Sequence, residues 1–102
     1  QQLQAAVDGV HASDALLDYL LDVVAATRSG QWFATGLSPR ASLALLRASK
    51  AKALISGRDY VAPDDVQAIM PQCTAHRMTP LGQSGLSAVA QVRAMLATIA
   101  LP

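Results

Sequence analysis

Alanine constrains this chain more than any other residue: 20 of its 102 positions are Ala, against four aromatic residues and no Glu. With so few large rings, a core has to be built from Leu, Val, Ile and Ala. The small and straight-chain members of that set favour closely packed helices over sheets. The expected class is all-α, a small helical bundle. A length of 102 residues fits one domain, and 52% apolar content is enough for a true core rather than disorder.

Local punctuation divides the chain into four or five short helices. Residues 1–9 end in Asp8-Gly9 and read as a linker or the frayed end of a helix. Ser13 is a good N-cap for a helix from Asp14 to Ser29, with Leu16, Leu17, Leu20, Leu21, Val23 and Val24 on its apolar face and Gly30 as its stop. Asp14, Asp18 and Asp22 form a wet stripe at spacing i, i+4, i+8. After a loop holding Trp32 and Phe33, expected to plug the core, Ser38-Pro39 opens a second helix by the usual sequence of cap and then Pro. That helix is expected to reach about Ser56, with Leu43, Leu45, Leu46, Ala53, Leu54 and Ile55 apolar and Gly57 as its stop. A third helix starts at Pro63 with two acids in its first turn. Pro71 should break or kink it and leave a fourth segment, Pro71 to Met78. Ser84 or Ser87 caps the last helix, whose apolar set is Val89, Val92, Met95, Leu96 and Ile99. Val10–Ala12 and Tyr60–Val61 each precede a cap and should pair as a two-stranded scrap, with Tyr60 covering the core.

Composition excludes several functions. A formal net charge of +1 gives no bias toward nucleic acid or an anionic membrane. The longest apolar stretch, Ala15 to Ala26, is too short and too charged to span a bilayer, and no signal peptide is visible. Cys73 is a single cysteine, expected to be a small buried filler rather than half of a disulfide. These features point to a cytoplasmic chain without membrane insertion. No phosphate-cradling Gly-rich loop is present, and the two His and one Cys have no metal-ligand spacing. A stand-alone enzyme is therefore not expected.

Arg40 is the residue that stands out. At the second position of a helix it adds a cation where unpaired N–H groups already make the end positive. Such a placement becomes favourable when an anion arrives, because helix N-termini bind phosphate and Arg adds a bidentate donor. The alternative is that Arg40 extends into solvent or pairs with an Asp. Arg47, Lys50 and Lys52 read as a solvated face, and His76-Arg77 as decoration of a helix C-terminus.

The stretch GLSPRASLALLRASKAKALISGRDYVAPDDV resembles the C-terminal lid of the MoxR-type AAA+ ATPases. In that family the pattern runs Gly-Ala-Ser-Pro-Arg-Ala, an Ala/Leu-rich helix, Gly-Arg-Asp-Tyr-Val and a Pro-Glu-Asp-Val-like helix start. The likeness extends back through Leu17–Val24 and Ala26-Thr27-Arg28, and forward through Ala75-His76-Arg77 to the final Leu96–Pro102. It departs from the pattern in three places. Leu37 replaces the usual Ala, adding bulk beside the phosphate-facing turn. Ala62 replaces a Thr or Ser cap, at a cost of about 1 kcal/mol. Trp32-Phe33 stands where the family has a polar loop.

The resemblance implies one part of a larger ATPase, 1–102 being its helical lid. An N-terminal α/β domain of the same chain would carry the phosphate loop and the Mg²⁺-binding acids. The lid would supply Arg40 as the sensor 2 arginine, with Ser38, Pro39 and Ala41 forming the helix N-terminus around it. ATP and Mg²⁺ would then belong to the full-length protein, an ATP hydrolase, and neither is expected on the isolated lid. The family is similar in forming hexameric rings that act as chaperone-like remodellers, often of proteins with von Willebrand factor A domains. A helical protein-interaction module, or a DNA-binding one, is the competing reading. Negligible salt-dependent binding to duplex DNA separates the lid from the DNA-binding module.

Overall fold

The computed structural model describes residues 6–7, 9–74, 79–80 and 88–102, and the side chains of 34, 35, 73, 74, 79, 80 and 88 lie outside the description. Besides a helical pair at Ala6-Val7, these residues form four helices: α1 (Asp14–Arg28), α2 (Pro39–Ile55), α3 (Pro63–Thr74) and α4 (Ala88–Leu96). Two short strands, β1 (Phe33–Thr35) and β2 (Thr79–Pro80), pair antiparallel. The all-α class holds.

α1 begins where its cap predicts, the Ser13 hydroxyl accepting the Leu16 N–H at 3.1 Å. It ends at Arg28 with Ser29 as its C-cap, and Gly30 follows with a φ of +79°, in the left-handed region that Gly alone adopts cheaply. Its buried face is rotated from the expected one. Tyr19 and Thr27 join it, while Leu21 is 65% exposed and Leu17 only half-buried. Tyr19 tolerates burial because Gln67 Nε2 in α3 donates to its hydroxyl at 3.2 Å.

On α2 the buried residues are Ala41, Leu45, Ser49 and Ala53, an unbroken i, i+4 row of mostly small side chains. Small side chains let α3 approach closely, and α2–α3 is the most extensive contact in the fold. Ser49 satisfies its buried hydroxyl by donating to the Leu45 carbonyl at 2.8 Å. Leu43 and Ile55, expected on the apolar side, are exposed because they fall off this row.

α3 lacks a hydroxyl cap, and Asp65 compensates. Its carboxylate accepts the Ala62 N–H at 2.8 Å, reaching back from the third helical position as the acid of a capping box does. The same carboxylate takes both terminal nitrogens of Arg58, at 2.7 and 2.6 Å. Burial alone would push the Asp65 carboxyl up. The hydrogen bonds from Arg58 and Ala62, together with the Arg58 charge, outweigh it and hold the group below its ordinary value. Pro71 does not break the helix, which continues to Thr74. Pro71 and Met70 are buried, and so late in the helix a proline removes little of the ladder. The part of the expected fourth segment beyond Thr74 lies outside the described residues, as do the Ser84 and Ser87 caps.

The last helix seats Val92, Met95 and Leu96 in the core, with Val89 and Ile99 packed against it. Phe33 is buried and Trp32 packs at the core edge, as their plugging role requires. The Trp32 carbonyl accepts a hydrogen bond from Gln91 Nε2 at 3.1 Å.

The pairing of the segments before α1 and α3 also forms, as one parallel bridge between His11 and Tyr60. His11 N–H donates to the Asp59 carbonyl at 2.7 Å, and Val61 N–H to the His11 carbonyl at 2.8 Å. Tyr60, however, does not cover the core. Side chains alternate along an extended segment, so burying Val61 turns Tyr60 outward, 51% exposed with the Arg58 guanidinium over its ring. The β1–β2 pair has no signature in the sequence, since strands of three and two residues carry too little alternation to read. Among the described residues no helix is long and apolar enough to cross a membrane.

Candidate functional site

The site is built where α1 ends and α2 begins. After β1 the chain returns to α1 at Gly36, so tightly that a Cβ there would stand 2.6 Å from the Thr27 carbonyl carbon and 2.8 Å from Arg28 Cγ. Leu37 follows, and α1 grips both of its backbone polar groups. Its N–H donates to Thr27 Oγ1 at 3.1 Å, and its carbonyl accepts from Arg28 Nε at 2.7 Å. The Leu37 side chain is 2% exposed and points into the core. The expectation that it adds bulk beside the anion-facing turn is therefore wrong: its extra volume fills the interior.

Ser38 then caps α2. Its hydroxyl accepts the Ala41 N–H at 3.1 Å, and its carbonyl accepts the Ser42 N–H at 2.9 Å. Pro39 has no N–H to offer. Among the described residues, the Arg40 amide is the first-turn donor left without a protein partner. Ala41 is buried, whereas Ser38, Pro39 and Arg40 are exposed. No acid stands in the first turn of α2, and among the described residues the Arg40 guanidinium has no hydrogen-bonding or ion-pair partner. The positive helix end and the cation are thus left uncompensated.

Two depressions flank this end. An apolar groove of about 460 Å³ runs between α1 and α2, walled by Leu17, Leu20, Leu21, Val24, Leu43 and Leu46, with Arg28 and Pro39 also lining it. A second, of about 530 Å³, is lined by Pro39, Arg40, Leu43, Ala44 and Arg47. The two share Pro39 and Leu43, and neither is lined by an acid. The surface places an apolar groove beside a cationic depression.

Other candidates fall away from this place. Arg47 is exposed on the rim, Lys50 and Lys52 are half-exposed further along α2, and Lys52 Nζ donates to the Ser56 hydroxyl at 3.1 Å. The Cys73 side chain and all of His76-Arg77 lie outside the described residues. No group of three His, Cys, Asp or Glu able to hold a metal occurs among the described residues. Sequence reading missed the roles of Thr27, Arg28 and Asp65. For Asp65 a signal existed, an acid three positions after Ala62 at a proline-initiated helix start.

The family pattern of the AAA lid domain matches residues 25–95. The chain belongs to that family. Its relatives place it in the MoxR branch of the AAA+ ATPases. It is 38% identical to the uncharacterized protein YeaC of Bacillus subtilis, over 98% of this chain and 32% of that one. The chaperone MoxR1 of Mycobacterium tuberculosis is also 38% identical, over 86% of this chain and 26% of its own length. Protein MoxR of Paracoccus denitrificans is 33% identical, over 92% and 33% respectively. A solved structure of a proposed ATPase from Cytophaga hutchinsonii shares the fold, with a TM-score of 0.83, 24% identity, and coverage of 96% of this lid and 33% of that chain. The lid thus spans about a third or less of the relatives it matches.

Proposed function

We propose that this lid closes over ATP held by an N-terminal α/β domain of the same protein, with Arg40 as the sensor 2 arginine that contacts the γ-phosphoryl group. The observation that carries the reading is the uncompensated Arg40 at an α2 N-terminus that opens directly onto an apolar groove. With phosphates on Arg40, the purine would lie toward the groove between α1 and α2, across the shared Pro39 and Leu43. A preorganised guanidinium in that position stabilises charge on the transferring phosphoryl group. Loss of the γ-phosphate removes the contact and frees the lid to move against its partner domain. The Mg²⁺ ligands and the phosphate loop are assigned, on this reading, to the ATPase domain, as no acid lines either depression among the described residues.

On this reading the protein is a cytoplasmic AAA+ ATPase working in a ring of neighbouring subunits. It couples hydrolysis to chaperone-like remodelling of partner proteins, von Willebrand factor A domain proteins among the candidates. The test is Arg40→Ala in the full-length ATPase. Turnover should fall while the melting temperature of the lid stays within a few degrees of the parent, because an exposed cation is being removed from a positive helix end. Arg40→Lys should recover only part of the rate, since an ammonium lacks the planar fork. Arg47→Ala, two turns along the helix, is the control and should be milder. A melted lid with normal turnover per folded molecule would make Arg40 structural.

A further inference from the structure

Arg40 can serve the contact above only if its helix is held at a fixed place over the groove, and the means of holding it is visible. α1 and α2 do not close upon one another along their length, because the groove runs between them. At the Arg40 end, the hydrogen bonds that tie α1 to the chain entering α2 go to Leu37, one position before the cap and three before Arg40. Two consecutive residues of α1 take both of its backbone groups, Thr27 the N–H and Arg28 the carbonyl. Thr27 is fully buried, and its hydroxyl is also fixed in direction, since it donates to the Val24 carbonyl at 2.6 Å. A hydroxyl whose own proton is committed inside α1 presents its lone pairs to Leu37 in one orientation. Gly36, packed against the Thr27 carbonyl, admits the chain at this distance and no larger residue would.

We infer that Thr27 and Arg28 form a two-point clamp on Leu37 that sets where Arg40 stands over the groove, making both of them positioning residues for the nucleotide contact. The inference rests on the nucleotide-facing reading of Arg40. A clamp on one side of a residue would leave it free to swing about the remaining bond. Gripping donor and acceptor of the same residue removes that freedom and ties the start of α2 to the last turn of α1. A displacement of about 1 Å in a catalytic contact is enough to cost up to a hundredfold in rate.

The test is a mutant cycle in the full-length ATPase. Thr27→Val keeps the shape and removes the hydroxyl; Arg28→Met matches the side chain as far as Nε and removes the donor, and the melting temperature of each variant is measured beside its rate. Each should lower kcat by about tenfold with a much smaller change in KM, as a misplaced rather than missing contact does. Thr27→Ser, which restores the hydroxyl, should recover most of the rate. In an Arg40→Ala background neither Thr27→Val nor Arg28→Met should lower kcat further, because the residue they position is gone. Full additivity with Arg40→Ala would overturn the inference, since it would mean that Arg28 touches the nucleotide itself or that the losses are general damage. Normal kcat in both clamp variants, with Arg40→Ala impaired, would also overturn it while leaving the Arg40 reading intact. A normal rate in Arg40→Ala itself would remove that reading, and the clamp's purpose with it.

Discussion

Replacing Asp65 with Ala should destabilise the lid by about 3 kcal/mol, a sum of one lost helix cap at about 1 kcal/mol and lost charge-assisted bonds at about 2 kcal/mol. Asp65 is 1% exposed, and its carboxylate holds the Ala62 N–H and both Arg58 nitrogens within 2.8 Å. Arg58 retains 27% exposure and can turn to water once its partner is gone, so no charge is stranded in the interior. For 102 residues with an unfolding entropy of about 2.1 cal/mol/K each, the loss corresponds to a Tm lower by roughly 14 °C. Differential scanning calorimetry of parent and variant across pH gives a second check. The Asp65 carboxyl sits below its ordinary value of 3.8 in the folded state, so its stabilisation is complete above that value and is lost as pH falls through the lower, folded one. The Tm gap should therefore be constant near neutral pH and narrow below about pH 4. A gap under 3 °C at pH 7, or one that persists unchanged to pH 2, would refute the reasoning.

Two further substitutions probe the site's construction. Gly36→Ala forces a Cβ against the Thr27 carbonyl and should cost about 2 kcal/mol or more, read as a lower denaturant midpoint at unchanged m-value. Leu21→Asp, at a position 65% exposed, should change stability by less than about 0.5 kcal/mol. In the full-length ATPase the same variant should nevertheless weaken nucleotide binding several-fold, measured by titration with a fluorescent ATP analogue, because it puts a carboxylate on an apolar wall.

Much of the architecture was legible because its signals are local. Ser13, Ser38, Gly30 and Gly57 mark helix ends through hydroxyl acceptors and left-handed backbone, and each acts where its residue type demands. The face of each helix was less legible. Leu21, Leu43 and Ile55 are as apolar as their buried neighbours, and only the placement of other helices decides that they stay outside. Tyr60 illustrates the same limit: its segment's pairing was readable, but which side faced inward depended on Val61. Arg40 was legible as a misplaced cation at a helix start. The grip of Thr27 and Arg28 on Leu37 was not, because it joins residues nine and ten positions apart through a return of the chain that no periodicity announces.

Whether Arg40 reads the γ-phosphoryl group is tested most directly by the ratio of affinities for a non-hydrolysable ATP analogue and for ADP. Isothermal titration of the full-length ATPase and its Arg40→Ala variant provides both constants under one buffer. If Arg40 contacts the γ-phosphate, the variant should lose affinity for the ATP analogue by about tenfold or more while its affinity for ADP changes little, in line with the strength of a charge-assisted bond. An unchanged ratio in the variant, whether both affinities hold or both fall together, would contradict the account.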